Sequence, residues 1–255
     1  MNRITLPPRR LHNRAAFGLM MLAILLVGQA APPERAEVVA IREALQPLQV
    51  VVGQWRGNTF RENIVHEAYW GWDHRSKPAQ PALVLNAPEN PFFSQARLSY
   101  DPKTENYLLE LKQEKSPTRK FEGDFTAPPE TVVGDDGRSL QRTFTLQFDQ
   151  TQPTGGEQWQ VMLNQQENNR FLLELSKRRG RAALRRFDTV SNQRQGTSFA
   201  FSDEGYGEKT CIISGGQGTT PVAYNGKTYY VCCSGCQAAF EQDPEKWIAA
   251  SMKKP

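Results

Sequence analysis

Residues 54 to about 201 carry a series of short segments in which apolar and polar residues alternate, and this pattern constrains the fold more than any other feature of the chain. The alternation is clear at Phe144, Leu146 and Phe148. A period of two residues places alternate side chains on opposite faces of a strand. Turn-forming pairs such as Asp101-Pro102 separate the segments. The pattern therefore predicts a chain built mainly of short β-strands.

Eleven strands are predicted in this region. They cover residues 54–60, 64–72, 82–86, 95–100, 107–113, 120–126, 142–149, 158–164, 170–176, 182–190 and 197–201. Many short strands with regular turns and no intervening helices are typical of a closed antiparallel barrel or a sandwich. One helix is predicted before them, over residues 37–46, because Val38, Ile41 and Leu45 share a helical face and Pro47 follows. We predict a mainly β fold, with an antiparallel β-barrel domain over residues 37–201.

The start of this region resembles a known barrel class. A helix followed by Gly53-x-Trp55-x-Gly57 at the opening of a β-meander resembles the lipocalin-like and nitrobindin-like barrels. The resemblance implies a barrel whose interior could hold a small apolar ligand. Nitrobindin-like barrels bind haem through a histidine late in the barrel, and this chain has no histidine after His74. The haem site is therefore not carried over.

All four cysteines lie close to the C-terminal end, as Cys211, Cys232, Cys233 and Cys236. A C-x20-C-C-x2-C spacing can bring thiolates together around a metal ion. The same four residues could instead form two disulfides, with three possible connectivities. Two of the cysteines are adjacent, and a disulfide between neighbours is strained. The spacing therefore favours a metal site, and disulfide pairing is the alternative.

The residues around the cysteines predict how they are presented. Asn225-Gly226 lies between two β-rich runs and predicts a hairpin with a type I′ turn, which requires positive φ at both residues. A short helix is predicted at residues 237–241, with Cys236 near its N-terminus. Asp243 is the predicted N-cap, and Pro244 the first residue, of a final helix. The expected module is a hairpin followed by helices.

This C-terminal segment resembles the TRASH and YHS domains. Cys211, Cys232 and Cys236 match the TRASH spacing, the run 224–232 is similar to the YHS core, and the similarity extends through residue 246. The resemblance covers about residues 208–250, and we place the domain at 208–251. It implies a treble-clef-like module that senses, traffics or otherwise handles heavy metals.

On this resemblance the metal ligands are Cys211, Cys232 and Cys236. Cys233 is not required by the pattern and could be a fourth ligand or a residue packed in the core. Three thiolates leave one exchangeable position, whereas four make a closed structural site. Thiolates select Zn(II) or Cu(I) over Mg or Ca. The predicted cofactor is therefore Zn(II) or Cu(I).

The N-terminal 30 residues have the features of a secretory signal peptide. A basic segment precedes an apolar run over residues 15–27, and Gly28-Gln29-Ala30 supplies small residues at a cleavage site. The run is shorter than the roughly 20 residues needed to span a bilayer. Export to the periplasm or outside the cell is predicted, with an uncleaved membrane anchor as the alternative.

Charge does not support nucleic-acid binding. The chain has 31 Lys and Arg against 27 Asp and Glu. Four of the arginines lie in the predicted signal peptide (the leader, residues 1–30), which contains no Asp or Glu. The mature chain therefore has 27 basic and 27 acidic residues and is neutral.

Catalytic signatures are missing as well. The sequence contains no Gly-x-Ser-x-Gly elbow, P-loop, His-Glu-x-x-His or dinucleotide fingerprint. Only His66 and His74 follow the leader, eight residues apart. They could form a metal or acid–base pair on one strand face, although exposed or capped histidines are the default interpretation.

The predicted function is that of an exported, non-enzymatic metal-binding protein, with protein partners not identified. The alternative is a lipocalin-like carrier of a small apolar ligand, whose cysteine module is a structural or disulfide staple. An enzyme without a recognised motif is a third hypothesis.

Overall fold

The structure is a computed structural model that describes residues 35–134, 137–153, 155–195 and 209–252. These residues all belong to one compact unit. The predicted leader, the predicted strand at 197–201 and the linker before the cysteines lie outside the described residues. No helix in the described ranges combines the length and apolar character that crossing a membrane requires.

Within these ranges the chain forms three α-helices and twelve β-strands. The helices are α1 (Ala36–Leu45), α2 (Ser234–Gln242) and α3 (Pro244–Ser251). The strands are β1 (Gly53–Thr59), β2 (Val65–Asp73), β3 (Ala82–Asn86), β4 (Gln95–Asp101), β5 (Asn106–Lys112), β6 (Arg119–Val133), β7 (Leu140–Gln150), β8 (Glu157–Glu167), β9 (Arg170–Arg179), β10 (Arg185–Arg194), β11 (Thr220–Tyr224) and β12 (Lys227–Val231). The first predicted helix and the first ten predicted strands are confirmed, although β10 begins three residues later than expected.

Strands β1 to β10 form a closed antiparallel barrel in which each strand pairs with the next along the chain. β1 also pairs with β10, where Trp55 lies opposite Arg194. The Arg194 side chain reinforces this seam, because Nη1 donates to the Val52 carbonyl at 2.9 Å. Its guanidinium carbon lies 4.3 Å from the centre of the Trp55 ring. The predicted mainly β barrel is thus confirmed.

Strand β6 is longer than the sequence pattern predicts, because it continues through Pro128 and Pro129. Proline has no backbone N–H to donate to a neighbouring strand. The pairing of β6 with β7 accordingly shifts register twice, between Phe125 and Ala127 and between Ala127 and Glu130. These irregularities let the hairpin extend past the point where a regular ladder would end.

The barrel interior is filled by large apolar side chains. Trp55, Phe144, Phe148 and Phe171 are all fully buried, and the Trp55 and Phe171 rings meet edge to face at 4.6 Å. The interior retains a cavity of about 20 Å³ lined by apolar residues. Helix α1 and a following 3₁₀ turn at Gln46–Val51 contribute further fully buried side chains to the same core. Trp55, Trp70 and Trp72, which lie on the first two strands, are thus used in core packing.

Candidate metal centre

The hairpin β11–β12 leads directly into the two adjacent cysteines. Asn225 and Gly226 form its turn with φ angles of 48° and 73°, which confirms the predicted type I′ geometry. Val231 at the end of β12 is fully buried. The next two residues, Cys232 and Cys233, therefore leave the hairpin from a fixed position in the core.

A tight loop before the hairpin holds Cys211 against it. The Cys211 amide donates to the Gly216 carbonyl at 2.6 Å, and the Gly215 amide donates back to the Cys211 carbonyl at 2.8 Å. The neighbouring Ile212 amide donates to the Tyr230 carbonyl on β12 at 2.9 Å. Gly215 has a φ of 77°, a conformation that favours glycine. These bonds bring Cys211 beside cysteines that are more than twenty residues away in sequence.

Helix α2 presents the last cysteine. Cys233 is its N-cap in extended conformation, and Cys236 follows in the first turn. The Gln237 amide donates to the Cys233 carbonyl at 2.9 Å. After α2, Asp243 accepts a hydrogen bond from the Lys246 amide at 3.1 Å and caps α3, as predicted. The predicted hairpin-and-helix module is therefore present around the cysteines.

The sulfur atoms of Cys211, Cys232 and Cys236 lie within 4.8 Å of one another and form a cluster that could hold a metal ion. The Cys232 and Cys236 sulfurs are 3.6 Å apart, and the Cys233 sulfur is 3.8 Å from that of Cys232. Sulfurs bound to one zinc ion in a tetrahedral site lie about 3.8 Å apart, whereas a disulfide bond is about 2.05 Å long. The four cysteines are free thiols here, at spacings close to those of metal ligands.

Backbone and hydroxyl groups surround these sulfurs. The Ser214 amide donates to the Cys211 sulfur at 3.5 Å, and the Ser214 hydroxyl lies 3.4 Å from the Cys232 sulfur. The amide of Trp72, on barrel strand β2, donates to the Cys233 sulfur at 3.3 Å. Hydrogen bonds of this kind stabilise thiolates and orient metal ligands. The surroundings therefore suit deprotonated sulfur.

The thiols also change one another's acidity. Hydrogen bonds with Cys232 and Cys236 lower the pKa of Cys211, and the same two partners lower the pKa of Cys233. The pKa of Cys232 is raised, first by its bond to Cys211, and that of Cys236 is raised first by burial. Two of the sulfurs thus favour the ionised form while two keep protons to share. A metal cation that replaced these protons would leave all the sulfurs ionised and neutralise their charge. The donor set therefore fits a thiophilic metal ion.

The end of barrel strand β2 forms the other side of the centre. Gly235 in α2 packs directly on the Trp72 backbone, so closely that an added Cβ would overlap the Trp72 carbonyl oxygen. The Ser234 amide lies 3.4 Å from the Tyr69 hydroxyl. The site is therefore bounded by both the cysteine module and the barrel. The predicted boundaries of the two domains stay predictions.

His74 was not among the predicted ligands of the cysteine site, yet it lies beside one of its sulfurs. Its Nε2 atom is 3.8 Å from the Cys236 sulfur. Burial, followed by the positive charge of Arg42, lowers the His74 pKa to about 4, so the ring is neutral at neutral pH. His74 also lines a cleft of about 320 Å³ bounded by residues of α1 and α3. The one sequence signal that could have drawn attention to it is the scarcity of histidines in the chain.

His66 does not join His74 in a paired site. It is buried in β2, and its Nε2 lies 3.1 Å from the Asn90 side-chain nitrogen. His66 lies near the start of β2 and His74 directly after its end, so nearly the whole length of the strand, roughly 26 Å, separates them. The histidine pair considered from the sequence is therefore not formed.

Chemically, the centre is a buried set of thiols, supported by amide and hydroxyl groups, with one neutral imidazole at its edge. Such a set binds soft and borderline cations in preference to hard ones. No protein-family model matches the chain, and no curated protein matches it.

Proposed function

We propose that the protein is an exported metal-binding protein without catalytic activity, which holds Zn(II) or Cu(I) through Cys211, Cys232 and Cys236. The observation that carries the proposal is the convergence of these three sulfurs within 4.8 Å, at the junction of a hairpin, a loop and a helix. Cys211 and Cys236 are buried, at 2% and 0% exposure. Buried thiolates without a counter-charge are costly, and a bound cation supplies that charge.

The resemblance of residues 208–250 to the TRASH and YHS domains supports a role in sensing or trafficking heavy metals, or a structural use of the ion. The signal-peptide features of residues 1–30 support export. If export occurs as proposed, the intact mass of the exported protein will lack about the first 30 residues.

The barrel interior favours this proposal over the carrier hypothesis. Small-molecule sites typically have volumes of about 300–1,000 Å³. The apolar cavity inside the barrel has a volume of about 20 Å³, roughly the space needed for one water molecule. A carrier would have to move several packed side chains to admit its ligand.

Elemental analysis of protein purified from its native compartment tests the proposal. We expect one tightly bound equivalent of zinc or copper, which is lost after thiol alkylation. Each single serine substitution, at Cys211, Cys232 or Cys236, should sharply weaken metal binding. Structural metal supplies on the order of 10 kcal/mol to small modules, so these variants should also lose order around the site. Tyr224→Phe is a matched control, because it removes an exposed 3.1 Å bond to Glu245 within the same module.

Cys233→Ser decides the role of the remaining cysteine. A packing role leaves the metal stoichiometry unchanged with a modest loss of affinity, whereas a ligand role reduces affinity as far as in the other three variants. Mapping the disulfide bonds of the native protein by mass spectrometry tests the opposite result. Two disulfides, together with no bound metal, would refute the proposed function.

A further inference from the structure

A histidine directly after barrel strand β2 lies beside one sulfur of the cysteine cluster. The His74 Nε2 and Cys236 Sγ atoms are 3.8 Å apart. In a tetrahedral zinc site with bonds of about 2.3 Å to sulfur and 2.0–2.1 Å to nitrogen, the two ligand atoms lie about 3.5 Å apart. A shift of a few tenths of an ångström would therefore place this nitrogen and this sulfur on one ion. The His74 nitrogens lie more than 4.8 Å from at least one of the other two sulfurs, so the ring must also move towards the rest of the cluster when the ion binds.

The imidazole ring is held in place by aromatic neighbours from both parts of the structure. It stacks on Trp72 of the barrel with ring centres 5.1 Å apart and an angle of 8° between the planes. On the module side it contacts Trp247 of α3, at 6.0 Å and 51°. A ring restrained in this way loses little freedom when it binds an ion, which is the property that a preorganised ligand requires.

We propose that His74 supplies the fourth ligand of the centre, completing a Cys₃His set with Cys211, Cys232 and Cys236. The inference rests on the proposed metal-binding function and adds to it the identity of the fourth donor. Its consequence is that the metal ion bridges the barrel and the cysteine module, because three ligands come from one and the fourth from the other.

Cys233 is the competing candidate for the fourth position. Its sulfur is 3.8 Å from that of Cys232, but Cys233 is not part of the group of sulfurs that all lie within 4.8 Å of one another. The Trp72 amide donates to it at 3.3 Å. This bond holds the Cys233 sulfur against the backbone of β2. We assign Cys233 the role of fixing α2 to the strand end, so that Cys236 stays beside His74.

X-ray absorption of the zinc-loaded, untagged mature protein distinguishes the two candidates, because sulfur and imidazole scatter differently. The wild type should show three sulfurs and one imidazole. His74→Gln should lose the imidazole signal and bind zinc at least about 100-fold more weakly, since lost supporting groups alone typically cost 10–100-fold. Cys233→Ser should keep the imidazole signal. His66→Gln is the matched control and should also keep it.

Four sulfurs and no imidazole around zinc in the wild type would overturn this inference and leave the proposed function intact. Failure of the wild type to take up zinc or copper would instead refute the proposed function. If His74→Gln does not fold, the wild-type and Cys233→Ser spectra still decide the question, because only two histidines follow the leader.

Discussion

Replacing Gly235 by alanine tests whether α2 lies on the end of barrel strand β2. The added Cβ would overlap the Trp72 carbonyl oxygen and lie 2.7 Å from its carbonyl carbon. The overlap with the oxygen is the more severe of the two, and relieving it requires the helix to retreat from the strand by about 1.5 Å. Both sides of this contact are backbone, and no rotamer change can relieve it.

The expected magnitude follows from three contributions. Overpacking costs about 1–3 kcal/mol, and losing the hydrogen bond from the Trp72 amide to Cys233 adds about 1 kcal/mol. Against this, Gly→Ala in an unobstructed helix stabilises by about 1 kcal/mol. The net loss is about 1–3 kcal/mol, or a Tm lower by about 2–12 °C for a domain of this size. Metal affinity should fall by about 10–100-fold as the support around the sulfurs shifts.

Gly226→Ala is the control for this experiment. It makes the same chemical change in the same module, at a φ of 73° where nothing lies within 4 Å of the added Cβ. Its cost is backbone strain of about 1–2 kcal/mol, and its metal affinity should equal that of the wild type. Thermal unfolding followed by circular dichroism, together with competitive zinc titration, measures both quantities. A Gly235→Ala protein that is more stable than the wild type, with unchanged affinity, would refute the packing described for α2.

Two further predictions concern pH and truncation. In the metal-free protein, the free energy of unfolding should decrease as pH falls from about 6.5 towards 4, because the unfolded chain protonates His74 before the folded protein does. Urea unfolding should show that His74→Gln makes this decrease smaller; buried His66, whose pKa is also lowered by burial, keeps part of it. A profile that the substitution leaves unchanged would contradict the assignment. A chain ending at residue 195 should remain soluble and β-rich by circular dichroism, because β10 has by then closed the barrel. An unfolded truncation would mean that the barrel needs the cysteine module to fold.

Local sequence signals predicted most of the elements that position the centre. The Asn225-Gly226 turn depends on the φ angles of two neighbouring residues, and the Asp243 cap on a contact three residues away. The alternation along the barrel strands likewise reflects a local period of two. Features that depend only on residues a few positions apart in sequence can be predicted before the tertiary structure is known.

The barrel's contribution to the centre could not be predicted in the same way. His74 lies 162 residues before Cys236, and a single histidine after a strand has no diagnostic spacing. Its position depends on the pairing of β2 within the closed barrel and on the packing of α2 against Trp72. The continuation of β6 through two prolines is a second example, because it depends on register shifts against β7.

The antiparallel pairing of β1 with β10 also restricts the number of strands that the barrel can have. A closed barrel in which every neighbour is antiparallel must contain an even number of strands, so the chain leaves it at the same end by which it entered. The exit at Arg194 is therefore next to the start of β1, and Gly53 of β1 is paired with Trp70 near the end of β2. Gain or loss of a whole hairpin would preserve this arrangement. A change by one strand would send the cysteine module to the opposite end of the barrel, away from Trp72 and His74.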